Sequence, residues 1–259
     1  MKLATLVLCT AAAFGQLPPK QDATIALAYT PTPQSVRQMT TILKTLAHVL
    51  DVSFDATHSS FTLRGPANSL DLSEWLLHAM DKPAGWQPTM QESDNPSSRE
   101  YHLKDGGYYS IDDKTPVARV YYLKNTTTPG GVQEILTTLR VVGNIFEVFS
   151  YDGLRMLAFR GTATGVDLEE WMIRKLDVTA ASEGNPDENV FKLSAEDLVR
   201  VFYLDPATSV KDLFDITMKI RTTPKVKVFQ KTSPPTITVR GNSALLAQAA
   251  QIIETSPNR

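Results

Sequence analysis

Leu157-Ala158-Phe159-Arg160-Gly161 is one of three stretches that read apolar-x-apolar-Arg-Gly; the others are Phe61-Thr62-Leu63-Arg64-Gly65 and Ile237-Thr238-Val239-Arg240-Gly241. Upstream of each, an apolar strand ends at tyrosine: Leu27-Ala28-Tyr29, Val120-Tyr121-Tyr122 and Val201-Phe202-Tyr203. The distances from Tyr29 to Arg64, Tyr122 to Arg160 and Tyr203 to Arg240 are 35, 38 and 37 residues. Eleven residues after Arg64 and Arg160 stand Trp75 and Trp171, each preceded by a glutamate, Glu74 or Glu170. Gln251 takes that place in the third stretch, so the last copy has lost the ring. The first two copies close alike, on Met80-Asp81 and Leu176-Asp177. Self-similarity at this many offsets marks a tandem array.

Within each copy the hydrophobic period alternates. Val36, Met39, Leu43 and Leu46 recur at helical spacing in the first, as do Val132, Ile135, Leu136 and Leu139 in the second. Turn-prone residues precede these helices at Thr30–Pro33, Asn125–Gly131 and Asp205-Pro206. Short β-type segments follow at Val52–Phe54, Val148-Phe149 and Val226–Phe229. After Arg-Gly the helical period returns in Leu72, Trp75, Leu76 and Met80, and in Leu168, Trp171, Met172 and Leu176. Each unit reads strand, helix, strand, strand, helix. The expected fold is α+β: three tandem modules over 25–82, 117–177 and 198–256, each a three-stranded sheet with two helices on one face. Modules this small should support one another.

The connector 83–116 holds Glu100-Tyr101-His102-Leu103 and Tyr108–Ile111 around Asp105-Gly106-Gly107, which reads as a hairpin. The connector 178–197 offers only Val190–Leu193 as a short strand. At the start, Met1-Lys2, an apolar run from Leu3 to Phe14 and the small-residue end Ala13-Phe14-Gly15 read as a secretory signal peptide over 1–15, cleaved near Gly15-Gln16. That run is too short for a transmembrane helix, which needs roughly 20 apolar residues, and no second apolar stretch approaches that length. Cys9 is the only cysteine, so an exported chain would have no disulfide framework, thiolate zinc site or cysteine nucleophile.

The repeat resembles the amino-terminal periplasmic, ring-forming and KH-like domain of bacterial secretins, in three tandem copies without the pore domain. Val120–Leu123, Leu157–Gly161 and Leu168–Asp177 match that family's Tyr-Leu strand, Arg-Gly strand and closing Leu-Asp helix. Val201–Leu204 and Ile237–Gly241 match in the third copy, whose end departs from the motif. In the first, Tyr29-Thr30 replaces Tyr-Leu. The resemblance implies a periplasmic, non-enzymatic protein-interaction module, and pore formation does not carry over.

The residues themselves offer little chemistry. His48, His58, His78 and His102 lack the spacing of a helical metal site, and no cofactor motif is present. Glu74 and Glu170 read as helix surface rather than an acid/base pair. KH-type nucleic-acid binding needs a Gly-x-x-Gly clamp; Gly130-Gly131 and Gly161–Gly165 are spaced wrongly, and the net charge is −2. The recurrent arginines should face outward, beside inward Leu63, Phe159 and Val239. Gly65, Gly161 and Gly241 should serve tight strand-to-helix turns, and Trp75 and Trp171 should pack in the core.

Charge is the one local signal of function. Residues 16–97 carry 5 basic and 8 acidic side chains, residues 98–197 carry 11 and 16, and residues 198–259 carry 9 and 4. Lys219, Arg221, Lys225, Lys227 and Lys231 form a candidate interaction patch in the basic third. The partners expected are proteins, either this chain itself in a ring or head-to-tail oligomer or an envelope secretion or pilus complex. A ligand-binding protein using a cleft between modules is the alternative.

Overall fold

The computed structural model of the chain describes residues 21–83, 85–87, 100–103, 116–179 and 186–256. The expected signal peptide, and the turn and second arm of the expected hairpin, lie outside them. The fold is α+β, with three small antiparallel sheets. In the first unit, β1 (Gln21–Ala26), β2 (Asp51–Asp55) and β3 (Ser60–Gly65) form a sheet ordered β1-β3-β2. Helices α1 (Pro33–Leu46) and α2 (Ala67–Met80) pack on it. Here β1 begins and ends earlier than the expected Leu27–Tyr29 strand, and Tyr29 lies past its end.

The second unit has β4 (Glu100–His102), β5 (Val117–Tyr122), β6 (Val148–Tyr151) and β7 (Met156–Gly161), ordered β4-β5-β7-β6. Its helices are α3 (Pro129–Thr138), which continues as a π turn through Gly143, and α4 (Ala163–Leu176). The third has β8 (Val190–Lys192), β9 (Leu198–Tyr203), β10 (Lys227–Thr232) and β11 (Pro235–Gly241), ordered β10-β11-β9-β8, with α5 (Val210–Arg221) and α6 (Ser243–Glu254). Two sheets therefore carry a fourth strand beyond the three expected. Both extra strands come from the connectors, where Glu100–His102 pairs with β5 and Val190–Lys192 with β9.

Local chemistry starts the first helices alike. Thr32, Thr128 and Ser209 are N-caps whose hydroxyls accept from the backbone N–H three residues on, and Pro33 and Pro129 follow the two threonines with φ already set for a helix. At the other end of the first unit, the Asp81 carboxylate accepts from the N–H groups of Ala28 and Tyr29 at 2.6 and 3.0 Å. Asp177 does the same for Lys124, Asn125 and Thr126 at 2.6, 3.0 and 2.6 Å. The shared closing aspartate thus ties the end of the second helix to the loop that leads into the first.

Burial separates the sheets. In the first unit Phe61 and Leu63 face the helices while Thr62 and Arg64 face solvent, the alternation of a one-sided sheet. Every residue of β5 is buried, because the second sheet is covered on both faces. Leu157, Phe159 and Val148 pack on its own helices. Ala118, Val120, Tyr122, Met156 and Ala158 join the hydrophobic core of the first unit instead. The third sheet repeats this at Val199 and Phe229, which join the core of the second. The first helix of each of the first two units is thereby clamped between its own sheet and the next one, α1 against β6 and β7, α3 against β10.

Candidate protein-interaction site

The residues that define the repeat in sequence meet where unit touches unit. Arg160 Nη1 donates to the carbonyl of Leu46, the last residue of α1, at 2.6 Å. Arg240 Nη1 donates to the carbonyls of Val142 and Gly143, at the end of the π turn, at 3.2 and 2.7 Å. Helix C-termini leave their last carbonyls without intrahelical donors and carry partial negative charge, so a guanidinium answers both deficits. Burial lowers the Arg160 pKa from its usual value, and Glu147 opposes that shift. The expectation that these arginines face solvent holds only for Arg64, whose side chain is 57% exposed against 9% for Arg160. The alternation does point them away from their own helices. The surface they reach is occupied by the preceding unit.

The strand-end tyrosines behave alike. Tyr122 Oη donates to the Ala79 carbonyl at 3.1 Å and Tyr203 Oη to the Lys175 carbonyl at 2.7 Å, each near the end of the preceding unit's second helix. Burial pushes the Tyr203 hydroxyl up to about 12, which keeps it a donor at ordinary pH. Trp75 and Trp171 are half-buried beside the core rather than inside it. Their rings lie 5.8 Å from Tyr101 and 5.5 Å from Phe191, residues of the connector strands β4 and β8 that belong to the next sheet. The tryptophans thus fasten the fourth strands. The third unit, which has Gln251 in that place, has no described strand to fasten.

The basic patch is split. Lys219, Arg221 and Lys225 are exposed at the far end of the third unit. Lys227 Nζ donates to Asn144 Oδ1 at 3.1 Å across the interface between the second and third units. Lys231 is not a surface residue: it is 1% exposed, and its ammonium donates to the Ser233 carbonyl. It lies on the β10 face turned away from Val228, which is the face that receives α3. Burial pulls its pKa down against the pull of Glu134 and Asp177. Of the three repeat glycines, only Gly241 is tightly placed, since a Cβ there would meet the Leu245 side chain at 2.9 Å.

Glu170 is not helix surface either. It is buried on α4, where its carboxylate accepts from Arg119 Nη1 at 2.7 Å and from Arg174 Nη2 at 2.7 Å. Arg119 also reaches Asp167 at 3.1 Å and pairs with Glu100, tying β4 and β5 to α4. Burial works against the Arg119 charge, but the Glu100 hydrogen bond and the Glu170 charge outweigh it and raise the pKa. Neighbouring Glu169 is fully buried, and its carboxylate has no hydrogen-bond partner among the described residues. The sequence showed these glutamates only as an adjacent pair. The Arg119 that pairs with Glu170 comes from a strand 51 residues away, a contact that no local pattern announces. His48 lies just past α1, in the left-handed region at φ 56°. Its Nε2 is 3.1 Å from Glu147 Oε1 of the second unit. Among the described residues no group of three or more His, Cys, Asp or Glu is placed to hold a metal ion, and no described helix is long and apolar enough to cross a membrane.

Two surfaces remain. One is the outer sheet face of the first unit, with Asp51, Thr62 and Arg64. The other is the outer face of α5, where Val210, Phe214 and Met218 form an exposed apolar stripe at four-residue spacing. Between α1, α3 and β6 lies a cleft of about 270 Å³ lined by Arg37, Gln38, Arg140 and Phe149, among others.

No family model and no curated protein matches the chain. Among solved structures, Aeromonas hydrophila ExeD is similar over 91% of this chain and 40% of its own, with 14% identity and a TM-score of 0.21. The type II secretion system secretin GspD of E. coli K12 is similar over 93% and 40%, with 13% identity and a TM-score of 0.20. The N-terminal domain of the secretin XcpQ from Pseudomonas aeruginosa is similar over 53% and 58%, with 14% identity and a TM-score of 0.22. The chain spans about 40% of the length of the first two.

Proposed function

We propose that the protein is an exported, non-enzymatic scaffold of the cell envelope, periplasmic after loss of residues 1–15, that acts by binding other proteins through secretin-like modules. One observation carries this reading. The recurring tyrosines, arginines and tryptophans are spent on packing one unit against the next rather than on a pocket. Such a chain is built from interaction surfaces, and in arrays of this kind each repeat contacts only its neighbours. The outer face of α5 leaves an apolar stripe uncovered, with Phe214 51% exposed. Its partners are proteins, either another copy or an envelope secretion or pilus assembly.

Crosslinking in native cells followed by affinity purification tests this. Recovery of a stoichiometric protein partner from the envelope fraction is the expected result. A protein that is retained in the cytoplasm, or that is never captured with another chain, overturns it. The cleft beside Arg37 and Arg140 favours a second reading, an envelope ligand-binding protein, since two guanidiniums and the Phe149 ring converge on it. Saturable calorimetric binding of a small carboxylate or phosphate, lost in Arg37→Ala, would favour that reading.

A further inference from the structure

We propose that a second copy of this chain docks its first unit onto the third unit of the first copy, continuing the internal stacking end to end. The proposal rests on the scaffold reading and deepens it by naming the partner. Its basis is that the outer sheet face of the first unit and the first helix of the third repeat features of the internal interfaces, and neither meets another unit among the described residues.

Arg240 shows that pose. Its Nε and Nη2 are held by Asp197 at 2.8 and 2.6 Å, which leaves Nη1 to reach the carbonyls of the second unit. Arg64 is held the same way, with Nε and Nη2 on the Asp22 carboxylate at 2.7 and 3.3 Å. Its Nη1 has no hydrogen bond among the described residues. In strand register the counterpart of Tyr122 and Tyr203 is Ala26, so the first unit offers no tyrosine hydroxyl at that place.

The receiving side also repeats. His48, Asn144 and Lys225 each stand sixteen residues after the N-cap of their unit's first helix, and each is left-handed, at φ 56°, 64° and 67°. The first two touch the next unit: His48 meets Glu147, and Asn144 accepts from Lys227. Glu147 and Lys227 lie directly across from the recurrent arginines, as the Arg160-to-Glu147 backbone hydrogen bond and the Lys227–Arg240 register show. The residue across from Arg64 is Asp51. Lys225 of one copy would therefore face Asp51 of the next, and the charges are opposite.

A further position agrees. Six residues after each N-cap stand Gln38, Glu134 and Asp215, the last of which accepts from Lys211 Nζ at 2.6 Å. The side chains of the first two accept the N–H groups of Asp152 and Thr232, each at 3.1 Å. Phe214 and Met218 occupy the positions of Arg37 and Thr41, which border the next sheet in the first interface. The polar centre of the first unit's outer face is no obstacle. Thr62 stands where Thr238 stands, and Thr238 is fully buried against the second unit. The tryptophan contact is missing on both sides together, since the third unit has Gln251 and the first has no described fourth strand.

Such a contact is heterologous and generates an open filament or a ring. It lacks the tryptophan clasp, so it should be weaker than the internal interfaces and should weaken with salt. Sedimentation velocity on the purified mature chain, from about 10 μM to about 1 mM, should show mass rising with concentration. Asp51→Lys and Lys225→Asp should each weaken association roughly two- to fivefold, and the chain carrying both should recover it. Phe214→Glu should abolish it without unfolding the chain, because that side chain is solvent-exposed. A wild-type monomer throughout overturns the proposal, and capture of a different protein in cells would then leave the scaffold reading standing. Association that ignores both charge reversals and yields only to Phe214→Glu also overturns it, in favour of two α5 stripes pairing with each other.

Discussion

Arg160 Nη1 lies 2.6 Å from the carbonyl oxygen of Leu46, so a strand of the second unit closes the first helix of the first. Arg240 closes the end of the second unit's first helix in the same manner. Stability in a linear array is approximately a sum of unit terms and nearest-neighbour interface terms. The recurrent arginine belongs to the interface term, which explains why it recurs although no unit needs it for its own core.

Arg160→Ala should therefore cost about 1.5–3 kcal/mol, the usual worth of a hydrogen bond to a charged group. Arg64→Ala, whose guanidinium meets no other unit among the described residues, should leave the unfolding midpoint where it is. Urea denaturation of the two variants beside the wild type decides the matter. Equal losses at both positions would place the arginine's role inside its own unit instead.

The tryptophans allow a sharper test, because their partners are single rings on named strands. Aromatic pairs contribute roughly 0.5–1.5 kcal/mol beyond area burial, so a double-mutant cycle on Trp75 and Tyr101, or on Trp171 and Phe191, should return a coupling in that range. A coupling near zero would mean that each indole packs on its own unit and the connector strand merely lies nearby.

Asp177 offers a third case. Its buried carboxylate accepts three backbone N–H groups, whereas the more accessible Asp81 accepts two. Removing an acceptor strands buried donors at about 1–3 kcal/mol each where water cannot reach them. Asp177→Ala should cost about 3 kcal/mol or more, and Asp81→Ala distinctly less. Thermal unfolding of both reads the difference, and a larger loss at Asp81 would contradict the reasoning.

Much of this architecture was legible in the chain. Leu157 and Phe159 alternate with Ala158 and Arg160, and that period-two pattern set the strand and its inward face. Thr128-Pro129 marked a helix start, and the offsets to Trp171 and Asp177 aligned the copies. The destination of the outward side chains was not legible, because a residue that leaves its own sheet can meet solvent or another unit, and periodicity distinguishes neither. Arg64 and Arg160 share the apolar-x-apolar-Arg-Gly pattern and are opposite in burial for that reason. Lys231 misled similarly: a lysine within a basic run reads as surface, and only the arrival of α3 on β10 buries it. The edge strands β4 and β8 were legible as short β segments. Three residues carry no period that assigns them to a sheet, so their places as fourth strands of the second and third sheets were not legible.

Glu169 ties these packing relations to pH. Burial raises its pKa well above the usual 4.5, the Arg119 charge opposes that shift, and Glu147 adds to it. The folded state therefore binds this proton more tightly than the unfolded chain does. The stabilisation is complete below the unfolded pKa and is lost as pH rises toward the folded value. Within that window the wild type should lose up to about 1.4 kcal/mol per pH unit relative to Glu169→Gln, which has no proton to release. The side chain is fully enclosed, so solvent screening should not blunt the effect. Urea denaturation of both proteins at intervals from about pH 5 upward measures the separation of the two stability curves. Curves that diverge with rising pH, the glutamine variant above, are the expected outcome. Parallel curves would mean that Glu169 titrates as an ordinary solvated carboxylate and that α4 opens to water beneath the second sheet.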